Sequence, residues 1–360
     1  MYSADDETDF HIASGLVPAE EDYVDTPITA EMFPAVSADL PSNDGANGVG
    51  IEVCVDSVQS ALNAIDGGAD RLELCANLGL GGGTTPSLGL LKAVQRVSEG
   101  TPIMVMVRPR TGDFLYSECE LDVMVEDIRA FKRRRVRGVV MGVLTKEGRV
   151  DVERTKRLVD EALPMEVCFH RAFDMTRDAD EGKAFHVPSR MYIYATATIS
   201  PARCSEYRRH YAYLDKVNQN TAYLIPQQLT PSSSGHGKTA PSSISTLKRL
   251  CFDIKELTKG QPYSTTILPG SGFNPSTVEP LVSRLLPLGL REVHLSGACW
   301  TDGDMTHRPV DMGMGVGGQG EWGIWETQRE TVERVRTIVD VVWEEYVSSD
   351  AVPRHRRLSQ

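Results

Sequence analysis

The chain has 360 residues, 41% of them hydrophobic, and a formal net charge of -12. An acidic balance offers no broad basic face to nucleic acid, and no apolar run approaches the ~18–20 residues needed to span a bilayer. The seven cysteines are odd in number and form no CxxC pair, and the N-terminus lacks the basic and apolar regions of a secretory signal. Together these argue against a disulfide framework, a membrane partner or export, and for a reducing, cytoplasmic setting.

Residues 1–49 carry eleven Asp or Glu and no Lys or Arg, which leaves the rest of the chain near neutral. Without apolar periodicity, they read as an acidic disordered tail. From Gly50 onward short apolar runs alternate with helical patterns. The runs are Ile51–Val55, Arg71–Leu74, Ile103–Val107, Gly138–Leu144 and Glu166–Phe169. Helices are expected over Ser57–Asp66, Ser87–Val97, Glu120–Lys132 and Val152–Leu163. The pattern resumes with a helix at Ile244–Leu257, a strand at Thr265–Leu268, a helix at Pro275–Leu286, a strand at Glu292–Leu295 and a helix at Glu326–Glu345. Strands alternating with helices imply βαβ units and a parallel sheet, and eight such units close a (β/α)8 TIM-type barrel over 50–346. Seven strands are clear; an eighth is needed between about Phe185 and Ser234.

That interval is anomalous. Residues 183–230 show no sustained period, and only Thr221–Ile225 resembles a strand, so the barrel is expected to be incomplete or distorted at its sixth unit. The segment reads either as a surface insertion or as foreign sequence, such as a translated intron. Residues 347–360 read as a basic disordered tail. Lys132–Arg135 reads as a solvated helix end, and the Gly-rich run Met312–Gly320, which follows no expected strand, as a mobile loop over the barrel mouth.

Residues two apart on a strand share a face. Glu52 and Cys54 therefore point one way, as do Glu73 and Cys75, Cys168 and His170, and His294 and Ser296. In a barrel the carboxyl ends of the strands converge on one mouth, where loops build the site. Glu52, Glu73 and His170 are the expected proton-handling groups there. Arg108 and Arg110 share a face and could clamp a carboxylate or phosphate, with Asp174 nearby in sequence to His170. Gly270, Ser271 and Gly272 turn into the helix that Asn274 should cap, an arrangement suited to a small anion. Cys54 and Cys75 read equally as packing or as reactive thiols, and Arg108 or Arg110 equally as structural counter-ions of Glu52 and Glu73.

Several motifs resemble the CutC copper-homeostasis family. They include Ile51-Glu52-Val53-Cys54, Gly67 to Cys75, Gly82-Gly83-Thr84-Thr85-Pro86-Ser87, Met106-Val107-Arg108-Pro109-Arg110, Phe169 to Asp174, Ser234-Gly235-His236, Leu268 to Gly272 and Glu292 to Ser296. The match runs from Gly50 to Asp180 and resumes near Thr230. The resemblance implies a TIM-type barrel, a cytosolic setting, a role in copper tolerance and homo-oligomers. It also implies Cu(I) held by cysteines of the first two strands, matching Cys54 and Cys75. Soft thiolates suit that ion. Leu229-Thr230-Pro231-Ser232-Ser233-Ser234-Gly235 is a broken echo of the family's sixth strand. Three readings follow: a copper-binding homeostasis protein, a barrel enzyme acting on a small anionic substrate, and a defective family member.

Overall fold

Buried apolar runs alternate with amphipathic helices, of which the four between residues 58 and 162 carry side-chain N-caps. The computed structural model describes residues 48–98, 100–177, 185–187, 191–193, 232–233, 239–257, 267–310, 312–313, 315 and 320–349, all within the compact unit Ser37–Gln360. Strand β1 (Gly50–Val55) leads to helix α1 (Val58–Asp66), where Ser57 Oγ accepts the Ser60 N–H as N-cap. Next come β2 (Arg71–Leu74), α2 (Leu88–Val97), β3 (Ile103–Met106) and α3 (Glu118–Arg133). They are followed by β4 (Gly138–Met141), α4 (Val152–Ala162) and β5 (Glu166–Phe169). Beyond β5 lie β6 (Phe185–Val187), β7 (Met191–Ile193), β8 (Ser232–Ser233), α5 (Ile244–Leu257) and β9 (Leu268–Pro269). The chain then forms α6 (Val278–Leu285), β10 (Glu292–Leu295), β11 (Ala298–Asp302), β12 (Gly323–Thr327) and α7 (Arg329–Ser348).

The main sheet has the order β10-β1-β2-β3-β4-β5, and every pairing in it is parallel. The last parallel strand thus lies beside the first, joining the two halves of the sequence in one sheet, as a TIM-type barrel requires. The sixth and seventh positions are two-residue stubs: β8 pairs in parallel with β9. Among the described residues the barrel is therefore incomplete at the sixth unit, consistent with the sequence reading.

Alternation along the strands sorts the side chains cleanly. Ile51, Val53, Val55, Leu72, Leu74, Val105, Val139, Val167, Phe169, Val293 and Leu295 enter the large core beneath the helices. The opposite faces carry Glu52, Cys54, Arg71, Glu73, Glu292 and His294, together with a small buried cluster of Cys75, Met104, Met106, Val140 and Cys168.

Several expectations need correction. Glu326 belongs to β12, and the last helix starts at Arg329 and runs through Ser348, into the stretch read as a basic tail. The helix expected from Pro275 begins at Val278. Its N-cap is Thr277 rather than Asn274, whose Oδ1 accepts the Ser276 N–H at 2.9 Å in the preceding turn. The run Met312–Gly320 joins two antiparallel strands, because β11 and β12 pair with Trp300 opposite Trp325. This hairpin is anchored: Asn63 donates to Glu326 and to the Thr327 carbonyl, and Ser60 Oγ accepts the Thr327 N–H. Within the anomalous segment, β6 and β7 form an antiparallel pair, so it is not wholly without regular structure. Thr221–Ile225 lies outside the described residues, as do Ser234, Gly235 and His236; the strand partner of β9 is Ser232–Ser233. The acidic segment lies outside them too, except for Gly48 and Val49. No helix among the described residues is long and apolar enough to cross a membrane.

Candidate functional site

The register of the first three strands of the ring assembles the site. On β1, Glu52 lies opposite His294 of β10 on one side and Arg71 of β2 on the other, while Cys54 lies opposite Glu73. All of these side chains share the face turned from the helices. His294 Nδ1 is 2.8 Å from Glu52 Oε1, and its Nε2 is 3.3 Å from Glu73 Oε2. Arg71 Nε donates to Glu52 Oε2 at 2.5 Å, and Arg71 Nη2 also pairs with Glu292. Cys54 Sγ, a Glu73 carboxylate oxygen and a His294 ring nitrogen all lie within 4.8 Å of one another.

The electrostatics follow from burial and pairing. Burial alone would raise the Glu52 carboxyl, but the Arg71 charge and the His294 hydrogen bond overcome it and hold the group at about 2. Glu73 lacks a bonded arginine. Burial dominates there, with the Glu52 charge adding to it against the pull of His294, and its pKa rises to about 7. Burial alone would lower His294; the neighbouring Cys54, Glu73 and Glu52 outweigh it and hold the imidazole well above its ordinary value. Burial pushes the Cys54 thiol up, while His294 opposes the shift.

Cys75 is outside this three-residue group. It is completely buried beside Met104, Met106, Val140 and Cys168, and burial, with the Glu73 and Cys54 charges, raises its thiol well above the usual range. A Cβ on Gly83 would come within 2.9 Å of Cys75 Sγ, so only glycine lets the loop after β2 close over the thiol.

The other expected residues make contacts of their own. Arg108 is buried and donates to the carbonyls of Gly81, Gly83 and Gly112, tying together the loops after β2 and β3, with its guanidinium 5.0 Å above the Phe114 ring. Arg110 turns outward to Glu120 at 2.6 Å and Asp113 at 3.0 Å, so its fork is engaged by its own loop and helix. Asp174 pairs with Arg171. Ser271 sits at φ 66°, its carbonyl accepting Ala240 N–H, while the Gly272 carbonyl accepts Thr277 Oγ–H. Ser296 Oγ lies 3.5 Å from the Ala298 amide.

His170 is 5% exposed at the end of β5, packed on the Phe114 ring at 4.8 Å. A Cβ on Gly142 would come within 2.7 Å of its ring, so glycine is required beneath it. Its Nδ1 accepts the Ala172 N–H at 3.2 Å, which leaves the proton on Nε2, and Nε2 is buried without a hydrogen-bond partner among the described residues. Burial, with the Arg108 charge, lowers the imidazole to about 3, so it stays neutral at physiological pH.

Two members of the network escaped the sequence reading. Arg71 precedes Glu73 by two residues and Glu292 precedes His294 by two, so the same period that found the latter pair also places the former on that face.

Comparison with known proteins bears on this geometry. The model of the CutC family matches residues 49–185, ending beside the start of the anomalous segment. A copper homeostasis protein cutC homolog of Dictyostelium discoideum is 35% identical over 273 residues, covering 73% of this chain and 87% of that protein. A family protein CutC of Chromobacterium violaceum is 34% identical over 290 residues, covering 81% of this chain and 98% of its own length. The human copper homeostasis protein cutC homolog is 52% identical over 143 residues, covering 39% of this chain and 52% of that protein. The crystal structure of CutC from Streptococcus agalactiae, 23% identical, covers 69% of this chain and 98% of its own, with a TM-score of 0.49.

Proposed function

The chain belongs to the CutC family, and from that premise we propose that it serves copper homeostasis by holding Cu(I) at Cys54 and His294. The observation that carries this reading is the meeting of a thiol, an imidazole and a carboxylate within 4.8 Å on neighbouring strands. Glu52 bonded to the far nitrogen of His294 is the outer carboxylate that commonly orients a metal-binding imidazole. Glu73 alone is a hard donor, and a soft ion would gain more from the Cys75 thiol on the next strand, beside the Met104 and Met106 thioethers. Binding would require His294 to give up its proton and the thiol to ionise, so metal uptake should release protons. The test is anaerobic titration of the reduced protein with Cu(I). Stoichiometric binding should be lost in Cys54→Ser/Cys75→Ser and weakened by Cys54→Ser alone. Unchanged binding in the double variant would remove copper from these thiols.

A second reading, a barrel enzyme acting on a small anionic substrate, is favoured by His170. A buried N–H donor without an acceptor costs on the order of 1–3 kcal/mol, and a substrate oxygen would satisfy it. A neutral imidazole serves as such a donor without carrying charge. Survival of full copper binding in the double cysteine variant would favour this reading over the first.

A further inference from the structure

Beyond the acidic residues 1–49 the chain is near neutral, and one surface stands out as positive and without ion pairs among the described residues. The last turns of α2 and α3 flank a cleft of about 610 Å³ lined by Lys92, Gln95, Arg96, Arg133, Arg134 and Arg135. The lining contains five cations and no carboxylate. None of the five makes an ion pair among the described residues. Of the arginines elsewhere, Arg71, Arg110, Arg129, Arg137, Arg154 and Arg157 pair with Asp or Glu.

Two features show that the cluster is held rather than merely solvated. Gln95 Nε2 donates to the Arg134 carbonyl at 2.9 Å, and the Arg134 guanidinium donates back to Gln95 Oε1 at 3.1 Å, so the two helix ends are locked together. Arg135 follows the C-cap residue Arg134 with φ 54°, the left-handed position that glycine fills at least cost. Glycines take positive φ after α1 and at Gly289, so an arginine at this position retains a charge despite the strain. Cations in last turns also complement helix dipoles. Two C-termini supply only about one unit of negative charge, far less than the five positive charges.

We propose that this cleft binds a compact phosphate polyanion, such as a triphosphate chain. Its volume lies within the ~300–1,000 Å³ range of small-ligand sites, and arginine forks match phosphate oxygens in pairs. The helix ends lead back to the amino ends of β3 and β4, so this site lies at the opposite end of the strands from the Cys54–His294 group and is independent of the copper reading.

The full chain should be titrated calorimetrically with inorganic tripolyphosphate and, in a parallel arm, ATP. Saturable one-to-one binding that weakens with added salt is expected. Equal affinities assign a free phosphate chain; tighter ATP binding assigns a nucleotide that shares it. Arg96→Gln/Arg133→Gln/Arg135→Gln alters only exposed side chains and should lower affinity at least about tenfold at an unchanged melting temperature. Arg135→Gly should bind more weakly yet melt higher, because it removes the charge and the strain together. Absence of binding at low salt, or wild-type affinity in either variant, overturns the proposal. An oligonucleotide whose affinity through these arginines grows with its length overturns it as well, by replacing the small ligand with a polymer.

Discussion

Glu52 is a buried carboxylate whose ionised form is held by Arg71 on one oxygen and His294 on the other. Replacing it with Gln leaves both cations with half their partners, which should cost on the order of 3 kcal/mol at neutral pH in metal-free protein. The pH dependence has a definite sign. Because the folded pKa is depressed from 4.5 to about 2, the stabilisation is complete above 4.5 and is lost as pH falls towards 2. Urea unfolding of wild type and Glu52→Gln should therefore show a gap that is wide at pH 7 and narrows below 4.5. A gap constant across that window would place the effect in packing instead. Glu73 has the opposite sign: its raised pKa contributes stability below 4.5 that is lost as pH rises through about 7. At this scale the sequence was legible as far as alternation reaches. Period 2 put Glu52, Glu73 and His294 on one face, but the bridging role of His294 required the β10–β1 register, which depends on a pairing of strands far apart in the chain. The pairing of Arg110 with Glu120 was not legible for a related reason, since strand period does not extend into the loop that carries it.

Among the elements, α3 is the most firmly started. Ser117 and Glu120 form reciprocal bonds, the Ser117 Oγ accepting the Glu120 N–H and the Glu120 carboxylate accepting the Ser117 N–H. Ser117→Ala should destabilise the protein by about 1 kcal/mol, seen as a lower urea midpoint without a change in slope. An unchanged midpoint would mean that burial of Leu121, Met124, Ile128 and Phe131 alone sets where the helix starts. That signature is local and can be read directly from Ser117-Glu118-Cys119-Glu120. The β11–β12 hairpin could not be read in that way. Its strands are separated by a long connection, they carry mixed polar and aromatic residues, and their pairing depends on Trp300 meeting Trp325 at 5.3 Å across the ladder. No short-range turn signal marks such a pair.

Across the whole molecule, the ring of parallel strands is strong from β10 round to β5 and weak where β8 and β9 contribute two residues each. The strand count demanded a sixth strand between about Phe185 and Ser234, and Ser232–Ser233 sits at the end of that window. Its position was not legible because two residues carry no period. Such a stub offers few ladder bonds to offset an ordering cost of ~1–2 kcal/mol per residue. Among the described residues, β5 pairs only with β4, and an unpaired strand edge is a template for association with another chain. Residues 183–230, which lack apolar periodicity, are therefore the part of the chain where redesign should gain most. Replacing them with an amphipathic helix followed by a strand of ordinary length, in register with β5 and β9, should raise the thermal midpoint and reduce light scattering on heating. Both changes can be followed in one calorimetry and scattering experiment on the full chain. If the replacement instead abolishes cooperative unfolding, the segment supplies packing that its sequence does not advertise, and the sixth unit is complete in a form that alternation cannot recognise.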